Sequence, residues 1–271
     1  MTQAPKQIFD RRTLNARRSR RSPDAMFLHQ LARDEVEDRL SLVNRPFTTP
    51  AVVCPFPEVW DGFLTGTAIV PDGDVLSLKE GAHDVVIHAM CLHWANDPVG
   101  QLIQCRRALK EDGLLLVILL GGQTLHELRT AMAEAETSVM GGLSPRVAPM
   151  GEIRDLGGLL QRAGFALPVA DLVPLTAEYR DLTHLIHDLR GMGETNALAQ
   201  RLKRPAPRAL FQMADHIYRE HFANAKGRLP ATFELVCLTG WSPSDSQQKP
   251  LRPGSAQMRL ADALKVPEAK L

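Results

Sequence analysis

The chain has 271 residues, 44% of them hydrophobic and 23% charged, and its 32 basic and 31 acidic side chains leave a net charge of +1. That length can bury a full-sized core, and so even a balance gives no global field for a nucleic acid or an anionic membrane. The longest apolar run, "LLLVILL" at 114–120, falls well short of the ~20 residues a bilayer span needs.

At the start, "PKQIFDRRTLNARRSRR" (5–21) carries six arginines between Arg11 and Arg21. A solvated amphipathic helix with Ile8, Phe9 and Leu14 turned inward is expected, the alternative being a basic arm for a nucleic acid or an acidic partner. Arginine-rich, acid-poor starts also mark mitochondrial presequences, but no long leader separates this stretch from the globular pattern. "PDAMFLHQLARDEVEDRLSLV" follows as a helix, with Pro23 and Asp24 at its start and Leu28, Ala32, Val36, Leu40 and Val43 on one stripe. "NRPFTTP" breaks it. Ala51, Val52, Val53 and Cys54 then make a short strand.

From residue 83 the pattern alternates cleanly. "HDVVIHAM" is a continuous apolar strand of the kind covered on both faces. "DPVGQLIQCRRALKEDG" predicts a helix with Asp97 near its N-terminus, Lys110 in its last turn and Gly113 beyond. "LLLVILLGG" predicts the next buried strand. "TLHELRTAMAEAETSVMGG" and "MGEIRDLGGLLQRAGF" predict two helices closed by Gly141 and Gly164. Alternation at this spacing means a doubly wound α/β sheet. "LPVADLVPLT" (167–176) and "ATFELVCLTGW" (231–241) read as strands around a mainly helical stretch with "DLTHLIHDLRGMGE" and "PRALFQMADHIYREHF". The expected divisions are an N-terminal helical arm (1–45), a Rossmann-like core (46–176), a helical insertion or lid (177–230), a last core strand (231–243) and an extended tail (244–271). Four scattered cysteines with no C-x-x-C pair suit buried thiols in a reducing, cytoplasmic setting, and the nine histidines contain no metal-binding motif.

Several blocks in order resemble a known family: "GGQTLHELRTAMAEAE" (121–136), "GGLSPRVAPMGEIRDLGGLLQRAGF" (141–165), "DLRGMGETNAL" (188–198) and "GRLPATFELVCLTGW" (227–241), with "IFDRR" and "LHWANDP" earlier. They are similar to the S-adenosylmethionine-dependent methyltransferase-like proteins of the mitochondrial complex I assembly factor type, related to the malonyl-carrier-protein methyltransferase of biotin synthesis. The resemblance implies the class I methyltransferase fold with an antiparallel final pair of strands. It also implies S-adenosylmethionine as cofactor, an activity ranging from arginine hydroxylation to carboxylate methylation, and a respiratory-complex subunit or other protein as partner. The setting implied is the bacterial cytoplasm, or the mitochondrial matrix in a eukaryote.

One place breaks the family pattern. After the first strand a Gly-x-Gly turn should let the backbone approach the cofactor, and this chain has Cys54-Pro55-Phe56-Pro57. Proline offers no N–H, and phenylalanine adds bulk where space is needed. Ala51 to Ser77 spans only 27 residues, less than the ~30 of one βαβ unit, so at least one strand–helix step is shortened or lost. The resemblance puts Asp72 where an aspartate faces the adenine, although Asp72-Gly73-Asp74 also suits a plain turn. His93 and Trp94 follow the strand at 84–90 on the functional rim, His93 as an acid or base and Trp94 as a stacking surface, or else a packing residue. Ser144 and Arg146 sit beside paired glycines as candidate substrate contacts, where Arg146 suits a carboxylate clamp or an ion pair with an acidic surface neighbour. Two functions follow. The first is an assembly or binding factor whose cofactor site has degenerated; the alternative is an active S-adenosylmethionine-dependent enzyme acting on a protein or a small carboxylate. A nucleic-acid-modifying enzyme has only the arginines behind it.

Overall fold

In the computed structural model, which describes residues 7–248, six strands form one sheet in the order β2-β1-β3-β4-β6-β5. These are β1 (Pro50–Cys54), β2 (Ala68–Pro71), β3 (His83–Ala89), β4 (Leu109–Leu120), β5 (Ala166–Tyr179) and β6 (Leu229–Trp241). β1, β2, β3 and β4 pair in parallel, while β6 runs antiparallel to both β4 and β5. Period-two alternation sorts each central strand between two cores. On one face Val52, Val85 and Ile87 meet α2 (Phe27–Ser41), α4 (His126–Met140), α6 (Leu182–Gly191) and α7 (Arg208–Phe222). On the other, Ala51, Val53 and Val86 meet α3 (Pro98–Ala108) and α5 (Ile153–Arg162). Burial on both faces explains why these strands read as unbroken apolar runs.

The shortening expected after β1 is real. A single turn of 3-10 helix, Pro57–Trp60, joins β1 to the four-residue β2, which lies directly beside β1 at the sheet edge. β2 is not evident in the sequence, since four residues ending in proline give little strand signal. A second difference concerns Lys110. α3 stops at Ala108, its last-turn cations are Arg106 and Arg107, and Lys110 already lies in β4, because Leu109 pairs with His83 before an irregularity carries the register to Leu114. All four cysteines are buried and unpaired. Among the described residues no helix is long and apolar enough to cross a membrane.

The arm at the start is fixed to the site by its own contacts. α1 (Arg11–Arg18) is capped by Asp10 and buries Leu14. Phe9 bridges to Leu198, Asn96 binds the backbone of Ile8 and Phe9, and the Phe9 ring stands edge-on to Trp94 with centroids 5.1 Å apart. Two expectations change here. Ile8 is half exposed rather than turned inward, and Arg18, expected in solvent, is buried. Much of the expected tail lies outside the described residues.

Candidate functional site: a filled cofactor position and an open cavity

A cofactor of a doubly wound sheet lies over the carboxyl ends of its strands. At the end of β1 that position is filled. Phe56 is only 1% exposed, its ring packs edge-on against His29 at 4.8 Å, and the Arg21 guanidinium lies over it at 5.2 Å. Opposite stands Gly193, with φ +75; a Cβ there would come 3.3 Å from the Phe56 ring and 3.0 Å from Arg18 Cγ. The turn after α6 therefore closes onto the end of β1 with no spare methyl group of room.

Asp72 follows β2, where a ligand-facing carboxylate was expected, but two guanidiniums occupy it. Arg18 Nη1 donates to Oδ2 at 2.7 Å, and Arg11 donates to the same oxygen at 3.1 Å and to the backbone carbonyl at 2.8 Å. Burial opposes ionisation of Asp72, but the charges and hydrogen bonds of Arg18 and Arg11 outweigh it and hold its pKa below the usual value. Gln101 and Gln104 of α3 pin the same turn by donating to the carbonyls of Gly73 and Asp74.

β3 is followed by Met90, held at φ 52, and this left-handed turn leads into a short 3-10 helix, Leu92–Trp94. His93 and Trp94 thereby meet a residue 101 and 100 positions downstream. Trp94 Nε1 donates to Glu194 Oε2 at 2.6 Å, and His93 Nε2 lies 3.3 Å from the same oxygen. Burial raises the Glu194 pKa, but hydrogen bonding and charge from His93, with Arg18 and His29 beyond, bring it below the ordinary range. The other Glu194 oxygen is 3.9 Å from His29 Nε2, and neither atom has a hydrogen bond. Burial depresses the His29 pKa to about 4 against the pull of Glu194. Trp94 is thus both a packed residue and a hydrogen-bond donor, and Glu194 is the group that orders the pair.

Ser144 and Arg146 converge on Glu136 of α4. Ser144 donates through its backbone N–H and its hydroxyl at 2.8 and 2.6 Å, and Arg146 Nη2 donates at 2.7 Å. Arg146 has the acidic neighbour foreseen as one of its two roles, except that Glu136 is buried rather than at the surface. Arg146, His93 and Trp94 line one cavity of about 840 Å³, walled by α1, α4, α6, α7 and the loops at 146–150 and 194–202. Ser144 stands outside its lining, and Asp72 lies apart, under α1. Among the described residues no three metal-ligating side chains cluster.

These residues do not fit S-adenosylmethionine. Its place at the end of β1 holds Phe56, the turn has prolines where N–H donors are needed, and the Asp72 carboxylate is taken up by the protein's own arginines. Glu194, Arg18 and Glu136 carry the site's electrostatics without having been singled out in the sequence. Each acts through a contact spanning from 8 to 100 residues, and no local spacing reports such a pairing.

The sheet order, with three parallel pairings and an antiparallel close, is that of a class I methyltransferase fold, and a methyltransferase-domain family model matches residues 61–117. The chain is similar to the mitochondrial arginine-hydroxylase NDUFAF5 of Danio rerio, 36% identical over 203 residues that cover 75% of this chain and 63% of that protein. It is also similar to the malonyl-acyl-carrier protein O-methyltransferase of Laribacter hongkongensis, 33% identical over 193 residues, 71% of this chain and 62% of the relative. The family relations read from the sequence blocks are the ones found, and the chain spans under two thirds of the length of these curated relatives. Among solved structures, a putative methyltransferase of Bacillus halodurans aligns with a TM-score of 0.48 and 11% identity, over 78% of this chain and 98% of that one.

Proposed function

We propose that this chain is a methyltransferase-fold protein of the complex I assembly factor type whose S-adenosylmethionine site has degenerated, and that it works by binding a partner rather than by methyl transfer. The observation that carries this reading is the filled position: Phe56 at the end of β1 and Arg18 on Asp72 stand where the cofactor belongs. The likeness to an arginine-hydroxylase of mitochondria supports a respiratory-complex subunit as the partner. The working place is then the bacterial cytoplasm beside such a complex, or the mitochondrial matrix in a eukaryote. Fold alone decides nothing about activity, because function lives in the site.

A second reading draws on the cavity that joins His93, Trp94 and Arg146: an active S-adenosylmethionine-dependent methyltransferase on a protein or small carboxylate. Calorimetric titration of the purified chain with S-adenosylmethionine and S-adenosylhomocysteine separates the two. The binding-factor reading expects no saturable heat, whereas micromolar binding, or cofactor retained through purification, restores the enzyme. A pull-down from bacterial lysate is expected to recover a respiratory-complex subunit, and its absence weakens the assembly role.

A further inference from the structure

The cavity concentrates positive charge that nothing so far uses. Arg17, Arg20, Arg146, Arg190 and Arg201 all line it, and its single acidic lining residue is Glu194, whose bonded oxygen is already engaged by Trp94 and His93. Arg201 is balanced by Asp10, and Arg146 by Glu136. The other three form no ion pair among the described residues, Asp10 acting on Arg17 only from a distance. Arg17 donates only to the Asn196 carbonyl, and the side chains of Arg20 and Arg190 make no ion pair or hydrogen bond among the described residues. Burial, together with the charges of Arg201 and Arg190, lowers the Arg17 pKa, as crowding of like charge should. Within the cavity Arg146 Nε is buried without a partner. Leu128, Met132 and Phe211 give the remaining wall an apolar character.

An arginine side chain entering this space meets uncompensated guanidiniums and is repelled. A lone carboxylate satisfies one or two of them, leaving charge at the rim, where Arg20 and Arg190 are exposed. Several anionic groups on an apolar body satisfy both features at once. The volume holds only a few side chains, so the rest of such a ligand lies across the rim. We infer that the cavity is the docking site for an acidic segment of a partner protein, one that alternates carboxylate and apolar side chains. This rests on the reading of the chain as a binding factor and names the chemistry of what it binds.

Fluorescence anisotropy of the full chain with a labelled peptide of glutamate and phenylalanine tests the inference. Saturable binding is expected, weakened by raised ionic strength and by about tenfold in the double variant Arg20→Glu, Arg190→Glu. Both positions are exposed and unpaired, so the variant folds as the parent does, which its thermal melt checks. The counterpart peptide with arginine for glutamate is expected not to bind. Equal binding of the two peptides, indifference to the double variant, or capture of dodecanoate with neither peptide bound overturns the inference. Calorimetry with S-adenosylmethionine keeps the two readings apart. Cofactor binding with the acidic peptide still bound refutes only the degenerate site, and loss of peptide binding with no cofactor heat refutes only the acidic segment.

Discussion

The two ends of the sheet have been built to different standards. On one side β4, β6 and β5 run 12, 13 and 14 residues; β5 and β6 pair along nearly their whole length, and β4 pairs with β6 from Leu114 to Leu120. On the other, β1 and β2 run five and four residues, with one 3-10 turn where a helix is expected. The long side is held by apolar burial together with polar ties from neighbouring helices, Arg39 to Asp171 of β5 and Glu127 to Thr232 of β6. The short side is closed by side chains packed at the end of β1: Phe56, His29 and the guanidiniums on Asp72. The end of a sheet with short strands can therefore stay closed, provided that side chains fill the volume and pair the buried charge.

The largest effects come from truncating buried rings on either side. Phe233→Ala in β6 is expected to cost about 3–5 kcal/mol in urea unfolding, since Phe233 is fully buried. Phe56→Ala should fall in the same range if the end of β1 is true core, and a loss below about 1 kcal/mol would show a loosely filled vacancy instead. Next comes the buried charge. Asp72→Asn strands two guanidiniums and should cost about 3 kcal/mol, while Asp72→Leu combined with Arg18→Met should recover most of that loss. An additive double variant breaks the account of the plug.

The pH dependence is smaller and has a definite sign. Burial depresses His29 and His88 from 6.5 to about 4 in the folded chain. Between those values the unfolded chain holds protons that the folded one refuses, so stability falls as pH drops from 6.5 toward 4 and is unaffected by these groups above it. Asp72 and Glu194, with depressed folded values, lose their contribution as pH falls further still. His29→Gln should remove roughly half of the slope between pH 6.5 and 4, read from unfolding at a series of pH values; an unchanged slope contradicts the buried neutral ring. Least of all, Glu37→Gln, which breaks an exposed pair with Arg33 on α2, should stay within about 0.5 kcal/mol. Sensitivity on this side then lies in the plug and not its surface.

What the sequence made legible follows the same division. Strands buried on both faces announce themselves, so β3, β4 and β6 were readable in "HDVVIHAM", "LLLVILL" and "ATFELVCLTGW". The missing glycine turn was equally plain, because proline and phenylalanine are incompatible with close backbone approach. His93 and Trp94 could be singled out by following a buried strand. Their organiser, Glu194, could not: a glutamate in "GMGETNAL" looks like any surface carboxylate until the turn after α6 folds over β3. The same holds for Arg18, whose place in an arginine run suggested solvent, and whose burial depends on a partner 54 residues away.

The most direct measurement is calorimetric titration of the purified chain with S-adenosylmethionine. With Phe56 and the Arg18–Asp72 pair filling the end of β1, the account predicts no saturable heat at any concentration reached. A one-to-one isotherm in the micromolar range would contradict it.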